Sequence, residues 1–291
     1  MTTDTMRKRD LLPAALAIAG SDPSGGAGIQ ADIKTFTVIG VYCGADITAL
    51  TAQNTMGVST YLPLPAAFVK QQVQEVLADL NVTHIKIGMV GNGEIAAALG
   101  EVLSSFAGEI IYDPVIKSSS GTSLFGPGSR AITEHLLSRT TFLTPNLAEL
   151  EILTGRECPD TGTALAAAQG LFALAPRLKA VCLKGGHLDQ QNRTITDYLV
   201  WPATGDQEGK QAADLIFPVR HPRIFTRNTH GTGCTFASAF TAYLMQTDDV
   251  RQAFSSACAF VDILLRKSAS QHIGHGAGPL LHHCFAPETE V

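Results

Sequence analysis

The chain has 291 residues, a formal net charge of −5, and 45% hydrophobic against 16% charged residues. With a mean hydropathy of +0.14, that balance excludes a disordered polar chain and supports a sizeable buried core. The pI near 6.0 and the lack of a Lys/Arg cluster beyond Arg7-Lys8-Arg9 exclude a nucleic-acid-binding face, and no apolar run reaches the ~18 residues of a membrane-spanning helix.

At the N-terminus, Arg7-Lys8-Arg9 ahead of an apolar run ending in Ala17-Ile18-Ala19 mimics a secretory signal. Asp10 and Pro13 shorten the apolar part, however, and the run leads directly into Gly20-Ser21-Asp22-Pro23-Ser24-Gly25-Gly26. Residues 14–19 are therefore read as a strand feeding a functional loop, with 1–11 a flexible tail. Helical periodicity follows over 28–39 and 68–80, the second with Phe68, Val69, Val73, Val76, Leu77 and Leu80 on one face. Strand 84–87 precedes a helix over 95–106, and strand 109–112 ends at Asp113-Pro114. A further strand closes at Leu143, ahead of Pro145 and a helix over 146–153. A helix over 163–175 leads to strand 180–184, stopped by Gly185-Gly186. Segments 195–201 and 216–225 read as antiparallel strands around a polar hairpin at 204–210, and alanine-rich helices over 235–245 and 250–266 complete the pattern.

This alternation implies an α/β fold, a mostly parallel central sheet with helices on both faces. No linker, repeat or low-complexity tract divides the chain, so one domain over 12–285 is expected. Six scattered cysteines without a C-x-x-C pair fit a reducing cytoplasm. Ligands of such sheets bind beyond the carboxyl ends of the strands. There lie segment 20–28, Lys86-Ile87-Gly88-Met89, Asp113-Pro114-Val115, Thr144-Pro145-Asn146, Lys184-Gly185-Gly186-His187 and segment 230–234.

Of these, Thr229-His230-Gly231-Thr232-Gly233-Cys234 carries the most chemistry. Its glycines admit a ligand close to the backbone, and the free amides of the following helix, aided by its dipole, gather an anion such as phosphate. The same dipole is expected to lower the pKa of Cys234 and favour its thiolate. A proton acceptor beside an anion cradle suits phosphoryl transfer to a hydroxyl. The spacing equally suits a turn that packs a small-residue helix on a sheet, with an inert buried cysteine.

Asp113 and Glu149 are carboxylates near strand ends, as a magnesium site requires. Asn146 and Glu149, three apart at a helix start, also suit ordinary capping. Lys184, at the end of an apolar strand, points either to solvent or to an anion such as phosphate. Gly26-Ala27-Gly28-Ile29-Gln30-Ala31 matches G-x-G-x-x-A, with Asp46 placed as a ribose partner, but it lies too far beyond its strand for a dinucleotide loop. His272, His275, His282 and His283, broken by Gly274, Gly276, Gly278 and Pro279, read as a surface segment rather than a metal site.

Together, Ala19-Gly20-Ser21-Asp22-Pro23-Ser24-Gly25-Gly26-Ala27-Gly28-Ile29-Gln30-Ala31-Asp32, Thr48-Ala49-Leu50-Thr51-Ala52-Gln53-Asn54-Thr55, Lys86-Ile87-Gly88-Met89, Asp113-Pro114-Val115, Thr144-Pro145-Asn146, Lys184-Gly185-Gly186-His187 and His230-Gly231-Thr232-Gly233-Cys234 resemble the hydroxymethylpyrimidine/phosphomethylpyrimidine kinases of thiamine biosynthesis, members of the ribokinase-like superfamily. The resemblance runs in order from Leu16 to His283. It implies ATP- and Mg²⁺-dependent phosphorylation of 4-amino-5-hydroxymethyl-2-methylpyrimidine and then of its monophosphate. It assigns Gln53, Gly20, Asp32 and Met89 to the pyrimidine, and Asn146, Lys184 and His230 to ATP. Asp113 and Glu149 are expected to hold the metal. Gly231, Thr232, Gly233 and Cys234 form the anion hole, with the Cys234 thiolate taking the hydroxymethyl proton. A glutamine suits an aminopyrimidine edge, since it presents both donor and acceptor. A homodimer with small-molecule partners, and with neither nucleic acid nor membrane, is expected.

One departure stands out: family members often read D-P-V-M-x-x-K-S-G, whereas Ser119 occupies the lysine position here and Lys117 lies two residues earlier. The rival readings are a pyridoxine/pyridoxal kinase, a non-catalytic pyrimidine-binding protein, and an enzyme using Cys234 as nucleophile with His230.

Overall fold

The first strand sets the architecture of the computed structural model, which describes residues 11–116, 133–187, 193–203 and 215–285. In β1 (Ala14–Ser21) every residue from Ala14 to Gly20 is buried, so both faces of the strand are covered. Leu16 and Ile18 enter one apolar layer and Ala15, Ala17 and Ala19 the other. The small alanine face lets helices approach closely, and the period-two alternation of a strand explains why the two layers receive different residues.

The remaining elements are α1 (Gly28–Ile39), β2 (Cys43–Asn54), β3 (Gly57–Pro63), α2 (Ala66–Asp79), β4 (Val82–Ile87), α3 (Gly93–Val102) and β5 (Glu109–Tyr112). A turn of π-helix at Thr133–Leu137, β6 (Phe142–Leu143), α4 (Leu147–Thr154), α5 (Thr161–Leu174) and β7 (Ala180–Leu183) follow. The chain then forms β8 (Thr194–Val200), β9 (Ile216–Pro222), α6 (Thr232–Thr247) and α7 (Val250–Ser268). Among the described residues one nine-stranded sheet runs β3-β2-β1-β4-β5-β6-β7-β8-β9. The pairs from β2 through β1 and β4 to β7 are parallel, while β3, β8 and β9 join antiparallel at the edges.

Helices α2 to α5 cover one face through Val69, Val73, Ile95, Leu99, Leu150 and Leu171. On the other face, α1, α6 and α7 contribute Phe36, Phe240, Phe254 and Phe260. Each such buried ring stabilises the fold by roughly 1.5–3 kcal/mol. The edge-to-face pair of Phe142 and Phe240, with centroids 5.4 Å apart, ties β6 to α6.

Most expected elements form within a few residues of their expected bounds. Helix α3 stops at Val102 rather than at 106, and β9 ends at Pro222, which limits the ladder. The hairpin β2–β3 was not expected. Its strands are glycine-, threonine- and alanine-rich at a half-exposed sheet edge, where no clean apolar alternation is required. The chain up to residue 10, Lys117, Ser119 and the hairpin 204–210 lie outside the described residues.

Candidate active site

From β1 the chain passes to β2 on one side and returns later to β4 on the other, so the crevice at the β1 and β4 carboxyl ends is a topological switch point. The loop beyond β1 is organised by Asp22, which accepts hydrogen bonds from the amides of Ser24 (2.9 Å), Gly26 (3.1 Å) and Ala27 (2.8 Å). The Ser24 hydroxyl adds a fourth at 2.7 Å. Burial alone pushes Asp22 upward, but the hydrogen bonds of His230, Ser24 and Ala27 and the His230 charge win and hold it at about 2. His230 Nε2 lies 2.8 Å from Asp22 Oδ2 and 3.2 Å from Gln53 Nε2. Gln53 itself follows a register shift in β2 between Ala52 and Gln53, a local irregularity of the kind that re-aims a side chain at a site. Gly20 sits under Met89, since a Cβ there would meet Sδ at 2.7 Å.

The turn before α6 requires glycine at position 231. Gly231 caps the helix with φ 80° in the left-handed region, and a Cβ there would overlap the Gly26 carbonyl. With no side-chain cap at this end, the first-turn amides point outward from the helix. The neighbouring Gly233 places α6 against a second cluster, because a Cβ on it would lie 3.3 Å from Lys184 Nζ and 3.7 Å from Asp113 Oδ2.

That cluster gathers the ends of β5, β6 and β7. Lys184 Nζ contacts Asp113 Oδ1 at 2.9 Å and Glu149 Oε2 at 3.7 Å, and Thr144 Oγ1 donates to Asp113 Oδ1 at 3.0 Å. Asn146 and Glu149 form a reciprocal capping box: the Asn146 amide donates to Glu149 Oε2 (2.8 Å) and the Glu149 amide to Asn146 Oδ1 (2.9 Å). Capping and a charged site thus coexist. Burial and the Asp113 charge raise the Glu149 pKa well above the usual carboxylate range, with Lys184 offsetting only part of this. Asp113 Oδ2 is buried without a hydrogen-bond partner. An orphaned carboxylate oxygen beside a second carboxylate is a donor set suited to a hard divalent cation such as Mg²⁺.

Cys234 lies between this cluster and a second buried charge pair. Lys86 Nζ contacts Asp32 Oδ1 and Oδ2 at 2.7 and 2.8 Å, with both side chains fully buried. Ser238, one helical turn beyond Cys234, donates to Asp32 Oδ1 at 2.8 Å. Burial would lower the Lys86 pKa, but the Asp32 charge and hydrogen bond, together with the Cys234 and Asp113 charges, outweigh it and keep the ammonium protonated.

Three expectations are corrected here. Cys234 is not a thiolate at neutral pH: burial of the sulfur dominates, the Asp32 and Asp113 charges add to it, and Lys86 and the Gly28 amide offset too little, leaving its pKa pushed up to about 12. Asp32 does not line an open pocket, because its carboxylate is enclosed by Lys86 and Ser238 at 0% exposure. His230 sits beside Gln53 and Asp22 rather than in the Lys184 cluster: its Nε2 donates to Asp22 Oδ2 at 2.8 Å and lies 3.2 Å from the Gln53 amide nitrogen. The histidine tail also departs from a wholly exposed segment. His282 is buried against the Thr235 hydroxyl at 3.0 Å, and burial lowers its pKa to about 4.

Sequence reasoning missed Asp22, Thr144, Lys86 and Ser238 as individual contributors. For Lys86 a signal was present: a charge inside the apolar run Ile85-Lys86-Ile87 of a central strand, with the equally buried Asp32 on α1 to neutralise it.

An uncapped helix start meeting a lysine–carboxylate cluster at the carboxyl ends of parallel strands, in a sheet covered on both faces, has the makings of an α/β phosphotransferase, and the structural neighbours are ribokinase-like kinases. The chain belongs to the phosphomethylpyrimidine kinase family, whose model matches residues 22–281. It is 40% identical over 275 residues to a hydroxymethylpyrimidine/phosphomethylpyrimidine kinase of Rhizobium meliloti, covering 92% of this chain and 96% of that one. A crystal structure of phosphomethylpyrimidine kinase from Clostridium difficile superposes with a TM-score of 0.72 at 33% identity, covering 87% of this chain and 98% of that one. Pyridoxal kinase from Staphylococcus aureus, in complex with AMP-PCP and pyridoxal, gives 0.78 at 30% identity, covering 94% of each chain. Among the described residues no helix is long and apolar enough to cross a membrane.

Proposed function

We propose that the protein transfers the terminal phosphoryl group of ATP to the hydroxymethyl oxygen of 4-amino-5-hydroxymethyl-2-methylpyrimidine, and then a second to the resulting monophosphate. The observation that carries this reading is the meeting of the α6 start with Lys184 and Asp113 at Gly233, on one side of Cys234, while Gln53 and His230 lie at the β1–β2 side of the same crevice. Phosphoryl transfer demands positioning and charge stabilisation more than covalent chemistry, and these are what such a crevice supplies.

In this reading the amides of Gly231, Thr232, Gly233 and Cys234 hold the phosphoryl oxygens. Lys184 and Asn146 serve the nucleotide phosphates. Asp113 and Glu149 hold Mg²⁺, which when bound would neutralise phosphate charge. Gln53 reads the aminopyrimidine edge, with Gly20 and Met89 packing against the ring. His230, assigned first to ATP, is here a group that holds Asp22 and its loop beside Gln53. Asp32 acts through Lys86 rather than on the ligand. Cys234 can take the hydroxymethyl proton only as its thiolate, so this role requires the thiol first to give up its own proton. The Asp113 charge that raises its pKa is the charge a cation at Asp113 and Glu149 would offset.

The reading also places this activity in a single domain over 12–285, in the cytoplasm, with a homodimer as the working assembly. The likeness to a pyridoxal kinase supports pyridoxal as a second substrate, since it too offers a hydroxymethyl group on a flat heteroaromatic ring. ADP release measured side by side with the pyrimidine alcohol and with pyridoxal tests the choice. Faster turnover of the pyrimidine is expected, and turnover of pyridoxal alone would reverse it.

A further inference from the structure

The first and third peptide groups after Lys184 are gripped from the antiparallel edge of the sheet. The Gly185 amide donates to Asp197 Oδ1 at 2.7 Å, and Arg223 Nη1 and Nη2 both donate to the Gly186 carbonyl at 3.2 Å. Asp197 Oδ2 meets His221 Nε2 at 3.0 Å and the Cys258 thiol at 3.6 Å. Gly185 lies flat on β8, since a Cβ there would overlap the Thr196 carbonyl. None of these side chains takes part in the site described above.

Strand β7 ends at Leu183, and the Lys184 amide makes a last parallel bridge to the Pro145 carbonyl at 3.0 Å. Beyond it the main chain leaves the ladder, so Asp197 and Arg223 supply the hydrogen bonds that hold the turn. A lysine stem has four flexible carbons and places its ammonium only as well as its backbone is fixed. We propose that Asp197, itself held by His221, is a positioning residue for the turn Lys184-Gly185-Gly186 and thereby for the nucleotide phosphates. This rests on the reading of Lys184 as a phosphate contact. A carboxylate accepting a buried amide makes a charge-assisted bond, and its loss leaves that amide unpaired. The hydrogen bond that His221 donates to Asp197 raises the His221 pKa against its burial, with the Asp197 and Asp262 charges adding to the rise.

The test measures affinity for a fluorescent ATP analogue and for the pyrimidine alcohol on the full chain carrying Asp197→Ala, Asp197→Asn, Lys184→Ala, or Asp197→Ala with Lys184→Ala. Asp197→Ala is expected to weaken the nucleotide about tenfold while leaving the pyrimidine nearly unchanged. Asp197→Asn, whose side-chain carbonyl still accepts from Gly185, restores most of the affinity. The double variant binds nucleotide no more weakly than Lys184→Ala, because the two residues act through one group. Equal losses for both ligands, or full additivity, overturns the proposal. If Lys184→Ala weakens the nucleotide and Asp197→Ala does not, the positioning role alone falls; if Lys184→Ala has no effect, the phosphate reading of Lys184 falls with it. Should Asp197→Ala not fold, His221→Leu is expected to give a smaller loss in the same direction, and unchanged nucleotide affinity there overturns the proposal.

Discussion

Lys86 and Asp32 form a fully buried ion pair, 2.7 Å from Nζ to Oδ1, braced by Ser238 one turn along α6 from Cys234. A central strand thus carries a charge into the core at the floor of the crevice, and the Lys86 charge works against the rise of the Cys234 pKa.

Removing one partner strands the other charge. Lys86→Met is expected to destabilise the fold by about 3–5 kcal/mol, whereas Lys86→Met combined with Asp32→Leu recovers much of this. The double variant remains slow in turnover, and its Cys234 is alkylated by iodoacetamide only slightly more slowly than in the native protein at equal pH, since the lost Lys86 charge, which lowered the thiol pKa, is the larger of two opposing effects and the lost Asp32 charge, which raised it, offsets most of the change. Urea unfolding and alkylation rates check both points. A single variant as stable as the native chain would show that the pair is not buried as described.

Gln53 Nε2 lies 3.2 Å from His230 Nε2 on the β1–β2 side of the crevice. Gln53→Ala is expected to weaken the pyrimidine roughly tenfold and ATP hardly at all, because a buried heteroaromatic edge loses its partner. Calorimetric titration with each ligand checks this, and equal losses would contradict it.

Gly231 combines φ 80° with the overlap a Cβ would make on the Gly26 carbonyl. Gly231→Ala is expected to cost at least the roughly 1–3 kcal/mol of left-handed strain, and to remove turnover by shifting the α6 start. Thermal unfolding together with a turnover assay would detect it. Native values for both would mean that the turn does not set the anion hole.

His282 is held at a pKa of about 4 from an ordinary value of 6.5 by burial. The unfolded chain therefore takes up a proton between pH 6.5 and 4 that the folded chain refuses. The sign follows: stability is full above 6.5 and falls as the pH drops toward 4, by about 3 kcal/mol in all. His282→Gln, which can still bond the Thr235 hydroxyl, is expected to flatten that slope. Denaturant midpoints measured across this range check it, and an unchanged slope assigns the effect to other groups.

Strand–helix alternation made the central sheet legible, because β1, β5 and β7 are largely apolar runs covered on both faces. The edge hairpin β2–β3 escaped, since an edge strand of threonine, alanine and glycine carries no such signature. Within the site, the glycine turn and the helix start were readable from spacing, and Asn146 and Glu149 from their capping offset. Charge balance was not. The spacing puts Cys234 at a helix dipole, but only the fold brings Asp32 and Asp113 close enough for burial and like charge to overcome that dipole. The contacts of His230 were hidden for a similar reason: its neighbours Asp22 and Gln53 lie 208 and 177 residues away along the chain.

The central claim is that this crevice moves phosphoryl groups from ATP to a pyrimidine alcohol. Its most direct test incubates the purified chain with MgATP and 4-amino-5-hydroxymethyl-2-methylpyrimidine and resolves the products over time. The account predicts the monophosphate first and the diphosphate after it, with one ADP released for each phosphoryl group transferred. Stabilisation of the protein by the pyrimidine, with neither ADP nor any phosphorylated pyrimidine formed, would contradict it.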